Sequence, residues 1–301
     1  MLLSFRNVNM SYLGGYMGLD DISFDMQESK PCVFVGEGGS GKTNLARTIC
    51  GIEKISAGTM TFGDKDLSKI SLQDRNFGMT FPLDSLQKNK SIRQNIQYPL
   101  TLRGTSQAEI DSRVDDIANT LGIESCLDDI VKKCSPKLLQ LAILARLLVV
   151  DRQLYVLDDP LSQWGKTEKY EIVGKILSKL VGKNFVWLTS DWEEGKLISD
   201  DIYVLSHCKI VDAISAQSVR YNHFASYQLM HSDCESEGGR LRFDGEHWAI
   251  EVDGKCYPCT PPINDIYRDR DVLAVRSNGQ IDTTCYFDLA SEYNITKVKN
   301  G

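Results

Sequence analysis

The chain has 301 residues, room for one large domain and a smaller one. Hydrophobic residues make up 42% and charged residues 25%, an ordinary globular composition, and the formal charge of −7 speaks against a nucleic-acid partner, which needs a basic face. The longest apolar stretch, residues 138–150, is broken by Gln140 and Arg146 and is too short to span a bilayer. Residues 1–6 lack the charged start and long apolar core of a signal peptide. The expectation is therefore an unexported chain whose nine cysteines are reduced thiols, and whose contact with any membrane goes through a partner.

In chain order, Pro31-Cys32-Val33-Phe34-Val35 is a short apolar run, as a buried strand should be. Gly36-Glu37-Gly38-Gly39-Ser40-Gly41-Lys42-Thr43 follows at once and forms a complete phosphate-binding loop. Its glycines let the backbone turn tightly and point successive N–H groups inward as an anion cradle. Lys42 can reach the outer phosphates of a nucleotide, and the Thr43 hydroxyl can bind Mg²⁺. Residues 44–50 have helical spacing with a stop at Gly51, so a phosphate would sit on a helix N-terminus, where free N–H groups and the dipole favour negative charge.

Further along, residues 59–62 and 77–81 are strand candidates. Residues 107–121 carry Ile110, Val114, Ile117, Ala118 and Leu121 on one helical face. Pro136 opens a helix at its first turn and that helix is expected to run to Val150. Residues 154–158 form a buried strand ending in carboxylates, 170–180 a helix, and 185–189 and 202–205 further strands. Strands alternating with helices predict an α/β sheet with parallel pairs. After about residue 222 the character changes: Asp244-Gly245, Asp253-Gly254 and Asn278-Gly279 are hairpin dipeptides, and Trp248 to Val252 alternates apolar and polar. A small antiparallel β domain is expected there. Cys256-Tyr-Pro-Cys259 has metal-ligand spacing, with Cys234 and Cys285 as candidates to complete four ligands; plain strand cysteines are favoured over zinc.

The phosphate loop, Leu154-Tyr-Val-Leu-Asp-Asp-Pro-Leu-Ser162 and the spacing between them resemble the ATP-binding cassette (ABC) family, in particular the ATPase subunits of maltose-type sugar importers. The resemblance covers about residues 1–222. It implies a P-loop ATPase domain of mixed sheet with a helical subdomain near 84–150, followed by a β domain over 223–301. It implies ATP and Mg²⁺, with Asp158 supporting the metal beside Thr43. It also places an aromatic ring on adenine at Tyr12, with Tyr16 a minor rival and a plain strand-end tyrosine an equal one.

Several positions depart from the family pattern. Asp159 stands where the general base is normally glutamate, and its carboxylate is shorter by one methylene, about 1.5 Å. Pro82 replaces a glutamine that senses Mg²⁺ and the transmembrane partner, and brings neither a side-chain donor nor an N–H. Cys134-Ser135-Pro136-Lys137-Leu138 replaces the signature that grips the γ-phosphate held by the opposite subunit; Ser135 survives and Lys137 adds a positive charge. Ser162-Gln163-Trp164-Gly165 loses an aspartate that communicates across the dimer, and Ser190 replaces the histidine that contacts the γ-phosphate. Phosphoryl transfer depends on positioning and charge, so several imperfect contacts compound.

The expectation is an ATP-binding subunit of an importer, the degenerate partner of an intact paralogous ATPase subunit. It would work with transmembrane permease subunits and, indirectly, a solute-binding protein, on the cytoplasmic face of the inner (plasma) membrane. A sugar or polyol-like solute is implied by the subfamily alone. Two alternatives stand beside it: an active homodimeric ATPase with an unusual site, and a non-catalytic regulatory or scaffolding subunit with structural nucleotide.

Overall fold

A computed structural model describes residues 1–214, 234–259, 262, 271–277 and 280–288. Contacts divide the chain into two compact units, Met1–Ile210 and Val211–Gly301. The change of character expected at residue 222 lies outside the described residues.

The first unit begins with two long antiparallel strands, β1 (Leu3–Ser11) and β2 (Met17–Met26). β3 (Cys32–Val35) leads into the phosphate loop and α1 (Lys42–Cys50), whose left-handed stop is Gly51. β4 (Ala57–Phe62) and β5 (Lys65–Asp66) complete a four-stranded sheet of order β2-β1-β4-β5. β6 (Phe77–Met79) precedes three helices, α2 (Ile92–Leu102), α3 (Gln107–Leu121) and α4 (Pro136–Leu148). Then come β7 (Leu154–Asp158), α5 (Lys166–Leu180), β8 (Phe185–Thr189), α6 (Trp192–Ile198), β9 (Ile202–Ser206) and β10 (Lys209–Ile214). The second sheet runs β10-β9-β3-β8-β7-β6, with β9, β3, β8, β7 and β6 parallel. Parallel neighbours need crossovers, and strands buried on both faces read as continuous apolar runs, as in β3, β8 and most of β7.

The two sheets and α1 share one core. Phe5 stacks on Phe24 at 4.7 Å, Phe24 meets Phe34 edge-on at 4.9 Å, and Phe34 stacks on Tyr203 at 5.1 Å. Leu45, Ala46 and Ile49 bring the inner face of α1 into it. Arg75 ties down the far end of α1: its guanidinium donates to the carbonyls of Thr48, Ile49, Leu67 and Ile70. A cation on the C-terminal carbonyls complements the helix dipole.

Several boundaries differ from the expectations. The strand at 77–81 ends at Met79, because Thr80 turns its hydroxyl onto the end of β7, accepting the Asp158 N–H at 2.8 Å, and Pro82 has no N–H to continue a ladder. α4 stops at Leu148, not Val150. α5 starts one turn before Tyr170, because Glu168 accepts the Gly165 N–H at 3.1 Å and closes the first turn. The strands β1, β2 and β10 and the helices α2 and α6 have no counterpart among the expectations. The first two alternate buried and exposed residues, but register shifts at Phe5, Val8 and Met10 interrupt the period.

In the second unit, β11 (Cys234–Phe243), β12 (Trp248–Val252), β13 (Lys255–Pro258), β14 (Asp271–Ser277) and β15 (Gln280–Asp288) form an antiparallel sheet of order β13-β12-β11-β14-β15. Leu241, Trp248, Ile250, Val252, Val272, Ala274, Ile281 and Tyr286 form its core. Asp253 and Gly254 turn with φ of 48° and 73°, as a two-residue hairpin requires. Asn278 and Gly279 lie outside the described residues, between the paired Ser277 and Gln280. Cys256 is exposed, while burial pushes the Cys259 thiol up to about 11. The side chains of Cys234 and Cys285 lie outside those described. Among the described residues no three His, Cys, Asp or Glu side chains are placed to hold a metal ion together.

Candidate nucleotide-binding site

The phosphate loop leaves β3 at the carboxyl end of the parallel strands, where open α/β sheets place their ligands. The Gly36 N–H donates to the Thr189 carbonyl at 3.1 Å, which fastens the loop to β8. A Cβ on Gly36 would stand 2.5 Å from both the Leu205 carbonyl and Ser40 Oγ, so no other residue fits. Gly41 has φ of +105°, which again favours glycine, and it sets the turn into α1. Gly38 and Gly39 have open space where a side chain would be, so the loop backbone is accessible to a ligand.

Lys42 is 5% exposed. Its ammonium donates to the carbonyls of Gly36 at 2.6 Å and Glu37 at 3.0 Å, and Asp159 Oδ2 lies 3.6 Å away. The cation is thereby curled back over its own loop. Beside it, the Thr43 hydroxyl donates to Asp158 Oδ2 at 2.7 Å. Asp158 Oδ1 and Ser40 Oγ are buried without a hydrogen-bond partner. Buried polar atoms left unpaired in a folded chain mark a site meant for something else. A polyphosphate on the loop and a hard cation between Thr43 and Asp158 would use both, so these residues fit ATP and Mg²⁺. A magnesium ion normally takes only one or two carboxylates and completes its shell with phosphate and water.

Burial raises the Asp158 carboxyl above its ordinary range, opposed by the Thr43 hydrogen bond, reinforced by the Asp159 charge and opposed again by Lys42. The unfolded value is near ~3.9. The folded chain therefore holds that proton more tightly, and this contribution to stability is lost as pH rises from about 4 through the folded value. At neutral pH the ionised carboxylate carries a burial cost that the Thr43 hydroxyl and Lys42 offset in part and that a cation bound beside it would relieve further. Asp158→Asn is expected to raise the melting temperature by a few degrees in magnesium-free buffer at pH 7, and to remove the further rise expected of the wild type with Mg-ATP. Thermal unfolding with and without Mg-ATP checks both, and a lower melting temperature in the magnesium-free variant contradicts the first.

Asp159 follows with φ of +40°, a left-handed backbone at a residue other than glycine. Its N–H donates to the Leu188 carbonyl at 2.9 Å, and its Oδ1 accepts the Ser190 N–H at 2.9 Å. The carboxylate is thus drawn onto the β8 end and toward Lys42. Ser190 is exposed, and its place beside Asp159 is set by its backbone. Asp191 caps α6 by accepting the N–H groups of Glu193 and Glu194. A cavity of about 300 Å³ opens next to the carboxylates, with Thr43, Thr80, Pro82, Gln140, Asp158 and Asp159 among its walls. Pro82 offers it no side-chain donor or acceptor and no N–H.

Tyr12 opens the tight turn between β1 and β2, and its hydroxyl donates to Asn44 Oδ1 at 2.7 Å on the first turn of α1. That bond holds the ring beside the phosphate loop with 41% of the residue exposed. Tyr16, at the other side of the turn, is 78% exposed.

Ser135 stands apart from this group. It is the N-cap of α4, where its hydroxyl accepts the Leu138 N–H at 3.4 Å and Pro136 takes the first helical position. The Lys137 charge is already committed, because its ammonium donates to both carboxylate oxygens of Glu168 at 2.7 Å. One further residue was not anticipated from sequence. Gln140, buried on α4, donates to Ser162 Oγ and to the Asp159 carbonyl. Its signal is a glutamine that, with Arg146, interrupts the apolar run of residues 138–150.

Strand, phosphate loop, helix and a second strand ending in two carboxylates define a P-loop nucleotide-binding domain. Residues 19–162 match the family model described as ABC transporter. The chain carries an ABC transporter ATPase domain. It is 30% identical to the sn-glycerol-3-phosphate import ATP-binding protein of Rhodopseudomonas palustris (strain HaA2), over 70% of this chain and 58% of that protein. It is 32% identical to the maltose/maltodextrin import ATP-binding protein of Escherichia coli (strain K12), over 67% and 55%. It is 29% identical to the sulfate/thiosulfate import ATP-binding protein of Synechocystis sp., over 76% and 65%. The alignments thus span only about 55–65% of the length of these relatives. Among solved structures, a dimeric post-hydrolysis ATP-binding cassette bound to ADP and Pi superposes with a TM-score of 0.66 at 19% identity, over 72% of this chain and 100% of that one. A nucleotide-free cassette from an ABC transporter gives 0.61 at 21% identity, over 70% and 90%. These two likenesses show the fold. Among the described residues no helix is long and apolar enough to cross a membrane.

Proposed function

We propose that this chain is the ATP-binding subunit of an ABC importer and the catalytically weaker member of an unlike pair of ATPase subunits. The observation that carries this reading is the contrast within one site. Lys42, Thr43 and Asp158 are placed as ligands for Mg-ATP, while Asp159 is short and bonded to the Ser190 N–H, and Pro82 brings no side-chain donor or acceptor to the cavity they face. In this reading the loop N–H groups and Lys42 bind the phosphates, Thr43 and Asp158 hold the metal, and the Tyr12 ring supports the adenine. Mg²⁺, when bound, withdraws charge from the phosphate oxygens. Asp159 is the remaining candidate to orient a water, and Ser190 has no imidazole to offer the γ-phosphate.

The pair is inferred from what each site would lack. Two copies of this chain would give two sites without the glutamate, the glutamine and the histidine. Pairing with an intact paralogue gives one site with all three, facing the Ser135 turn of this chain. The ATPase pair drives permease subunits from the cytoplasmic face of the inner membrane, supplied by a solute-binding protein. The names of the relatives favour a sugar, a polyol phosphate or a small oxyanion as solute, and the maltose-type resemblance favours the sugar or polyol-like class.

The test is transport in a reconstituted complex carrying either the paralogue's catalytic Glu→Gln or Asp159→Asn in this chain. The paralogue's change is expected to abolish transport and Asp159→Asn to reduce it less than about tenfold, against the roughly 10²–10⁴-fold that a working general base contributes. Equal loss from both, or a fully functional complex with two copies of this chain, defeats the asymmetric reading.

A further inference from the structure

Two polar side chains one turn apart on α4 grip the segment that follows β7. Gln140 is 6% exposed. Its Nε2 donates to Ser162 Oγ at 3.0 Å and to the Asp159 carbonyl at 3.4 Å, and its Oε1 accepts the Gln163 N–H at 3.2 Å. Both ends of the amide are therefore engaged by residues 159–163. Closer to the start of α4, Lys137 bridges to Glu168 at 2.7 Å and lies 5.3 Å from the centre of the Trp164 ring. Glu168 also accepts the Gly165 N–H at 3.1 Å, and Lys137 and this N–H together hold its carboxyl below the usual range.

Asp159 lies at the far end of the gripped segment. A non-glycine residue keeps a left-handed backbone only where its surroundings over-determine it. The hydrogen bonds that do so come from Leu188, Ser162, Ser190 and Gln140. Of these only Gln140 belongs to α4. The exposed Lys137–Glu168 pair contributes little by itself. Gln140 matters more, because it is itself buried and its one amide bridges the Ser162 hydroxyl, the Asp159 carbonyl and the Gln163 N–H.

We propose that Gln140 is a positioning residue for Asp159, and that Lys137, Glu168 and Trp164 form the outer half of the same clasp. The turn that opens α4 and the carboxylate after β7 then move as one body. The functional consequence rests on the nucleotide sandwich proposed above. There the Ser135–Lys137 turn faces the partner's nucleotide while Asp159 faces this chain's own, so the clasp lets occupancy of one site bias the other within a single chain.

The clasp itself is tested without nucleotide, by amide hydrogen exchange on the full chain. The reporter is the Ser190 N–H, which is bonded to Asp159 and belongs to neither half of the clasp. Gln140→Met keeps the side-chain volume and removes the amide. It is expected to speed Ser190 exchange about tenfold or more while the ladder amides of β3 and β8 keep their rates. Lys137→Met is expected to act in the same direction more weakly, and Lys137→Arg to restore the wild-type rate. Faster exchange at Gln163 with Ser190 unchanged overturns the proposal, since the contact is then local packing. Should Gln140→Met loosen β3 and β8 as well, Gln140→Glu decides: it keeps the acceptor for Gln163 and loses the donor to Asp159. Ser190 must then exchange faster with Gln163 still protected, and an unchanged Ser190 overturns the proposal. Because no nucleotide is added, failure of ATP binding would refute the proposed function and leave this result standing.

Discussion

Replacing Lys42 with methionine is expected to abolish saturable binding of Mg-ATP. Lys42 is buried, carries the charge nearest the loop carbonyls, and has no second lysine or arginine among its hydrogen-bond or ion-pair partners to replace it. Its ammonium presently rests on two carbonyls of its own loop, contacts that a phosphate would exchange for charge-assisted hydrogen bonds. Two such bonds at about 1.5–3 kcal/mol each correspond to roughly 10²–10⁴-fold in Kd. Lys42→Met is preferred to alanine because it fills the same volume in a site that is 5% exposed. Equilibrium binding of a labelled ATP analogue reads the effect, with circular dichroism confirming that the variant folds. Binding that is indifferent to the substitution would overturn Lys42 as a phosphate ligand, and no saturable binding by the wild type would remove the basis for a nucleotide role of any kind, including the scaffolding alternative.

The second large effect is on turnover. The isolated chain is expected to hydrolyse ATP well below about 1 s⁻¹, the low end of ordinary enzymes. Asp159→Glu extends the carboxylate by about 1.5 Å, out of the grip of the Ser190 N–H and into the neighbouring cavity. Ser190→His supplies an imidazole from a position that is already exposed at the end of β8. Each change alone should give a modest gain, because the other contact to the same transition state is still missing. Together they should raise the rate by roughly 10²-fold, more than the product of the single gains, as groups acting as a unit do. Steady-state phosphate release by the purified wild type, both single variants and the double variant measures this. A fast wild-type rate would place the chain among active homodimeric ATPases and refute the weak-site reading.

These two expectations pull apart binding from chemistry, and so do the residues. The phosphate-binding part of the site is contiguous in sequence: Gly36 to Gly41 form the turn between β3 and α1, and Lys42 and Thr43 open α1. Its glycines, lysine and threonine act through local geometry, so their spacing alone makes them legible. The same holds for α3, whose five buried residues fall on one helical face, and for β7, an apolar run ended by Asp158. The rest of the site and its surroundings are built from contacts between distant segments. Asp159 and Ser190 are 31 residues apart, as are Lys137 and Glu168, and Tyr12 reaches Asn44 across 32.

Sequence pattern therefore established the phosphate loop, the alternating α/β order and the antiparallel character of the last strands, because each depends on a period of two or 3.6 residues or on a turn dipeptide. The family resemblance, and no periodicity, marked Pro82, Asp159 and Ser190 as departures, since those are matters of residue type. Which partner each substituted residue meets followed from the strand order β3-β8-β7, which sets the ends of β7 and β8 side by side and brings α4 over them. No local period encodes that order. The charge of Lys137 illustrates the difference: its presence was legible in the chain, but its neutralisation by Glu168 arose from packing α4 against the start of α5, and only that contact turns a free cation into half of a clasp.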